Sequence, residues 1–107
     1  MEEPKERAFN SLAEFYPFYI SEHRHPVSRA LHYTGTWFAI GCLVGLAMTA
    51  NLWWLLGAGV SGYSFAWVGH FLFERNTPAT FRHPFYSLAS DFRMWWELSL
   101  GKLKFRE

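Results

Sequence analysis

The chain has 107 residues, which is enough for one domain and no more. Half of the residues are hydrophobic and 21% are aromatic, whereas the formal net charge is only +1, so the composition offers no general attraction to nucleic acid. A single cysteine, Cys42, excludes an internal disulfide.

The first predicted element is an amphipathic helix over about residues 11–24. Residues 1–10 are strongly charged and are expected to be flexible. The segment from Ser11 to Glu14 has the pattern of a capping box, which opens helices. Mainly aromatic residues then recur at helical spacing, and a His-Pro pair marks the end of the element.

The central feature is a run of 44 residues, from Ala30 to Phe73, without any Asp, Glu, Lys or Arg. A bilayer core is about 30 Å thick, and a helix needs about 20 residues to cross it. The run therefore predicts two transmembrane helices, at about 30–50 and 52–73, joined by a turn at Asn51.

The ends of this hairpin carry its distinctive residues. His32 and His70 each lie 19 positions from Asn51, which is ~29 Å along a helix, so the hairpin brings both to the same membrane interface.

The turn has no basic residue, whereas four arginines flank the outer ends: Arg24, Arg29, Arg75 and Arg82. The positive-inside tendency places both termini in the cytoplasm, as in a protein of the bacterial inner membrane or the endoplasmic reticulum.

The last predicted helix spans about residues 84–100 and is amphipathic, so we expect it on the membrane surface or against the first helix. The predicted fold is an all-α, small integral membrane protein over residues 1–107. It has a two-helix transmembrane hairpin flanked by amphipathic helices, four helices in all. The alternative is a soluble lipid-binding bundle with the charge-free run as its core.

Five histidines fall on the cytoplasmic side of this hairpin: His23, His25, His32, His70 and His83. Several imidazoles beside a carboxylate suit Fe(II) or another borderline divalent cation, and zinc serving hydrolysis stays open as an alternative. His25 is the weakest candidate, because residues two positions apart point in different directions on a helix.

Glu74 lies one turn after His70 on the same helix face. It fits a metal ligand, a hydrogen-bond partner of a histidine ring, or an ion-pair partner of Arg75 or Arg82. Either arginine is a candidate for steering a substrate carboxylate. No G-x-S-x-G, C-x-x-C, H-E-x-x-H or phosphate-binding glycine loop offers other chemistry.

One set of residues forms a pattern along the chain: Phe18-Tyr19, His23, Pro26, His32, and the segment Gly69 to Ala79 after the hairpin. This pattern resembles the Mpo-like family, over most of residues 15–100. The segment from Gly69 to Ala79 is its most specific part. Ser28 departs from it, because an asparagine is expected there, and the chain is shorter than the eukaryotic members and similar to their compact bacterial relatives.

The resemblance implies a membrane Fe(II)-dependent dioxygenase that shortens 2-hydroxy fatty acids by one carbon, with a fatty acid or other lipid and O₂ as its substrates. It implies His23, His32 and His70 as iron ligands, to which we add His83 as a lower-ranked candidate. Glu74 and Arg75 are the predicted catalytic residues, and a homo-oligomer is a further expectation. The competing interpretation is a non-catalytic small membrane protein whose histidine cluster is structural or senses pH.

Overall fold

The computed structural model describes residues 9–78 and 81–106. Within these residues the chain forms four α-helices and no strand, which confirms the all-α prediction. Most of the segment predicted to be flexible lies outside the described residues, as does Ala79 at the end of the family pattern. The helices are α1 (Leu12–Ser21), α2 (Pro26–Thr49), α3 (Trp53–Val68) and α4 (Pro84–Leu100), and a π-helical turn (Gly69–Glu74) continues directly from α3.

The loop between α1 and α2 is shaped by its His-Pro pair. Pro26 disfavours the helical conformation for the residue before it, and His25 is extended, with φ −71° and ψ 129°. The ring nitrogen Nδ1 of His25 accepts a hydrogen bond from the backbone N–H of Val27 at 3.1 Å and so caps α2. Because α1 ends at Ser21, His23 lies in the loop, where its side chain is buried.

Helices α2 and α3 form an antiparallel hairpin. Gly35 lies against Phe65 at one end, and Gly45 lies against the ring of Trp54 near the turn. A Cβ added to Gly35 would lie 2.9 Å from the Cβ of Phe65, so this approach of the two backbones requires a glycine. In the turn, the side-chain oxygen of Asn51 accepts a hydrogen bond at 3.0 Å from the backbone of the first residue of α3.

Among the described residues, only α2 is a helix long and apolar enough to cross a membrane. Just 22% of its apolar window is buried, which is unlike the core helix of a soluble protein. Helix α3 has 16 residues, ~24 Å, and is therefore shorter than a bilayer core of ~30 Å. The backbone changes to a π-helix at Gly69, so a second membrane span is not confirmed.

The main apolar core lies between α1 and α4. Its buried members are Phe9, Phe15, Tyr16, Tyr19, Met94 and Leu98. The hydroxyl of Tyr16 donates a hydrogen bond to the Glu97 carboxylate at 2.7 Å, and the hydroxyl of Tyr19 donates one to Asp91. Helix α4 therefore packs against the first helix, one of the two positions expected for it.

Arg29 on α2 joins this core to the hairpin. Its side chain is fully buried. Its Nε donates a hydrogen bond to the carbonyl of His23, and its Nη1 donates one to the carbonyl of Lys104 at 2.6 Å. A charge-assisted bond of this kind is stronger than a neutral one, so the guanidinium holds the loop that carries His23 against α2.

Candidate metal centre

Three histidines from three different elements meet at the end of the hairpin opposite its turn. His23 comes from the loop after α1, His32 from the second turn of α2, and His70 from the π-helical turn. All three are buried, and one ring nitrogen of each lies within 4.8 Å of the other two. Distances between ring centroids are 4.4 Å, 4.4 Å and 5.0 Å.

Each of the three rings is oriented by a hydrogen bond at Nδ1. The acceptor for His23 is the carbonyl of Tyr19 at 2.6 Å, and the acceptor for His32 is the carbonyl of Ser28 at 2.9 Å. The Nδ1 of His70 lies 2.6 Å from the side-chain oxygen of Asn76. Since an oxygen acceptor requires the proton on Nδ1, all three rings present the lone pair of Nε2.

The lone pairs of His23 and His32 face each other, with 3.0 Å between the two Nε2 atoms. Burial, followed by the proximity of His32 and His70, holds the pKa of His23 well below its usual range. The neutral imidazole is the form that binds metals. The fold thus gathers three ring nitrogens that could bind a metal, and the lowered pKa of His23 favours the neutral form that binding requires.

This donor set fits a divalent transition metal. Histidine nitrogens bind such ions at about 2.1 Å. Two nitrogens at that distance and at right angles to each other lie ~3.0 Å apart, which is the separation of the His23 and His32 nitrogens. Three protein ligands leave further coordination positions open, as catalytic metal sites require. The three buried histidines could therefore bind a metal ion.

The segment after His70 folds back to support its ring. Arg75 adopts a left-handed conformation, φ 59°, which ends the helix and reverses the chain. The backbone N–H of Asn76 then donates to the carbonyl of His70 at 3.0 Å, while its side-chain Nδ2 donates to the carbonyl of Glu22 at 3.1 Å. Asn76 lies inside the family pattern, but no role was predicted for it. Its position just after a helix end was the only feature of the sequence that indicated a role.

The remaining predicted site residues lie elsewhere. The ring of His83 packs against Phe9 and Phe15, with centroids 5.2 Å and 5.3 Å away, and is not among the gathered histidines. Glu74 accepts a hydrogen bond at 2.8 Å from the backbone N–H of His25. Arg75 is exposed at the end of the π-helical turn.

Tyr19 and Asp91 flank the centre, and the sequence offered no role for them there. The ring of Tyr19 stacks on His23, with 4.0 Å between centroids, and its hydroxyl donates to the carboxylate of Asp91. Burial raises the pKa of Asp91 to about 7. Asp91 also lines the cavity that His32 lines, so an ionisable group that can carry a proton near neutral pH faces the same cavity as one of the three histidines.

Replacing Asn76 with alanine is expected to weaken metal binding roughly 10–100-fold, the usual effect of removing the hydrogen-bond partner of a ligand ring. The His70 ring would lose the acceptor that fixes its orientation. Metal titration of the purified protein measures the change. The matched control is Asn10→Ala at an exposed position outside the site; equal affinities in the two variants would contradict the assignment.

A known protein family matches most of the chain. The family described as 2-hydroxy-palmitic acid dioxygenase Mpo1-like matches residues 9–103, which include all three buried histidines as well as Asn76 and Asp91. No curated protein matches the chain. No solved structure matches it either.

Proposed function

This chain belongs to the Mpo1-like family, and on that premise we propose that it is an Fe(II)-dependent dioxygenase that shortens 2-hydroxy fatty acids by one carbon. The observation that carries the proposal is the convergence of three Nε2 lone pairs, on His23, His32 and His70, in a chain of this family. Such a buried set is costly to assemble without a cation, because the lone pairs repel one another.

In the proposed mechanism the three histidines hold the metal through Nε2, and their Nδ1 hydrogen bonds fix the rings in place. Bound Fe(II) would supply the chemistry that couples O₂ to oxidation of the substrate. Asp91, which lines the same cavity as His32, would exchange a proton with a substrate hydroxyl. The stacked rings of Tyr19 and His23 keep water away from one side of the site.

The overall reaction balances with O₂ as the only co-substrate. A 2-hydroxy fatty acid and O₂ yield the fatty acid that is one carbon shorter, CO₂ and water. The bond between the carboxyl carbon and the hydroxyl-bearing carbon breaks, and the latter becomes the new carboxyl group. The four electrons lost by the organic acid reduce O₂, so no other reductant is required.

The predicted catalytic role of Glu74 and Arg75 remains a prediction. The Glu74 carboxylate is engaged with the backbone of His25, so we infer that it mainly fixes the loop before α2. Arg75 is exposed one residue beyond the π-helical turn, and its charge suits attraction of a fatty acid carboxylate. His83 is left out of the proposed ligand set, since its ring packs among aromatic side chains.

We also propose that the α2–α3 hairpin inserts in a membrane, with both termini on the cytoplasmic side. Large apolar side chains cover its outer surface and remain exposed, among them Trp37, Phe38, Met48, Trp53 and Leu56. A soluble monomer rarely exposes so continuous an apolar surface.

The protein is expected to stay in the membrane fraction after carbonate washing; release into the supernatant would support the soluble bundle instead.

The function is tested with protein prepared without oxygen and loaded with Fe(II). We expect O₂ uptake and a product one carbon shorter when 2-hydroxypalmitic acid is supplied, and neither of them with palmitic acid or without oxygen. Bound iron without any turnover would favour the non-catalytic interpretation. Turnover that depends on zinc and not on iron would contradict the proposed chemistry.

A further inference from the structure

A cavity of about 270 Å³ lies between α2, α3 and α4 and begins at the histidine cluster. Its polar end is formed by His32 and Asp91. Its far end, near the turn of the hairpin, is formed by Leu43 and Leu55. The walls between these ends are almost entirely apolar, so the cavity suits a molecule with one polar head and a hydrocarbon tail.

The length of the cavity follows from the helices that line it. On α2 the lining runs from His32 to Leu43, a rise of ~16 Å along the helix axis. On α3 it forms a single stripe at helical spacing: Leu55, Ala58, Gly59, Gly62, Tyr63 and Ala66. The two stripes run antiparallel, so the cavity is a narrow channel parallel to the hairpin.

Small residues on α3 keep this channel open. Gly35 and Gly45 on α2 are explained by tight packing, because a Cβ there would lie 2.9 Å or 2.7 Å from the neighbouring helix. Gly59 is different, since a Cβ added there would meet nothing within 4 Å. Glycine destabilises a helix relative to alanine, and close packing does not account for a glycine at position 59.

We propose that this channel holds the acyl chain of the substrate and that Gly59 determines the acyl length the protein accepts. The polar head then lies at His32 and Asp91, and the methyl end lies toward Leu43 and Leu55. The assignment of the head rests on the proposed function, because the cluster at that end is the proposed metal centre. The assignment of the tail rests on the shape and apolar lining of the channel.

The test is the variant Gly59→Leu, which places a large apolar side chain at a position that lines the channel. Binding is measured on metal-free protein in lipid nanodiscs, by displacement of a fluorescent fatty acid with 2-hydroxy acids of eight, twelve and sixteen carbons. We expect binding of 2-hydroxypalmitic acid to weaken at least tenfold, because its distal methylenes lose their contacts. Binding of 2-hydroxyoctanoic acid is expected to stay within about twofold of the unmodified protein.

The matched control is Gly41→Leu on α2. Gly41 also has nothing within 4 Å of an added Cβ, but it is exposed and does not line the channel. This control should leave the preference for chain length unchanged. The variant Gly59→Ala fills less of the channel and should give a smaller shift in the same direction, which keeps the test decisive if the leucine variant folds poorly.

Unchanged binding of the longest acid in both Gly59 variants would overturn the channel assignment, whatever the catalytic result. An equal loss for all chain lengths would overturn it as well. A shift toward shorter acids in protein that never consumes O₂ would support the channel while contradicting the proposed dioxygenase.

Discussion

Replacement of His32 with alanine is expected to abolish stoichiometric metal binding and the O₂ consumption that depends on it. His32 contributes one of the three Nε2 atoms and lies 3.0 Å from the nitrogen of His23. Loss of a direct ligand should exceed the roughly 10–100-fold loss of metal affinity caused by removing a supporting partner. Metal analysis after gel filtration measures the effect on binding, and an oxygen electrode measures the effect on activity.

Thermal unfolding separates this effect from simple damage to the fold. A ligand at 100 times its dissociation constant stabilises the native state by about 2.7 kcal/mol, so metal should raise the melting temperature of the unmodified protein. The His32→Ala variant should show no such rise. The melting temperature of the metal-free variant should fall little, because removing one ring relieves the repulsion between facing lone pairs in the cluster.

The matched control is His25→Asn, two residues from His23. The His25 ring caps α2 through Nδ1 and does not join the cluster, and asparagine preserves a side-chain acceptor at this position. Metal content and O₂ uptake should match those of the unmodified protein. Full metal occupancy in His32→Ala would refute the proposed centre, and a loss in His25→Asn would show that the metal lies elsewhere.

The sequence predicted the helical hairpin because its signals are local. The charge-free run identifies two apolar helices, and Asn51 favours a turn between them. The His-Pro pair identifies the start of α2 in the same way. Membrane insertion was harder to predict, since it depends on the length of each continuous α-helix. Helix α3 changes to a π-helix at Gly69, and no pattern in the sequence predicts that change.

The site was predictable only in part. Spacing from the turn brings His32 and His70 to one end of the hairpin. His23 was predicted as a ligand only through the family resemblance, because sequence periodicity does not predict the path of a loop. Asn76 and Asp91 escaped detection for a related reason. Asn76 reaches the His70 ring through a left-handed reversal at Arg75, and Asp91 reaches the site only because α4 packs against α1.

The π-helical turn matters because it carries His70 close against α2, and Gly69 makes that approach possible. A Cβ added to Gly69 would lie 2.8 Å from the Oγ of Ser28 and 3.2 Å from its Cα. The same Ser28 provides the carbonyl that orients the His32 ring. A side chain at position 69 would therefore push apart the two segments that hold His70 and His32.

Replacement of Gly69 with valine is accordingly expected to lower the free energy of unfolding by about 1–3 kcal/mol, the usual cost of overpacking, and to weaken metal binding more than tenfold. Gly41→Val is the control for a β-branched residue in a helix, because Gly41 faces open space. Denaturant unfolding measures the first effect, and metal titration measures the second. A Gly69→Val protein that keeps the metal affinity of the Gly41 variant would contradict the role given to this contact.

A double-mutant cycle identifies the contact itself. Gly69→Ala places only the Cβ against Ser28, and the shortest of its contacts is to the Ser28 hydroxyl oxygen, which has no hydrogen-bond partner among the described residues. Ser28→Ala alone should therefore lower the metal affinity little. The same change made in the Gly69→Ala protein should restore part of the lost metal affinity. Such non-additivity is expected of two residues that act through one contact. Additive losses would mean that Gly69 is needed for the backbone geometry of the π-helical turn. Metal affinity would then depend on the conformation of that turn and not on its contact with Ser28.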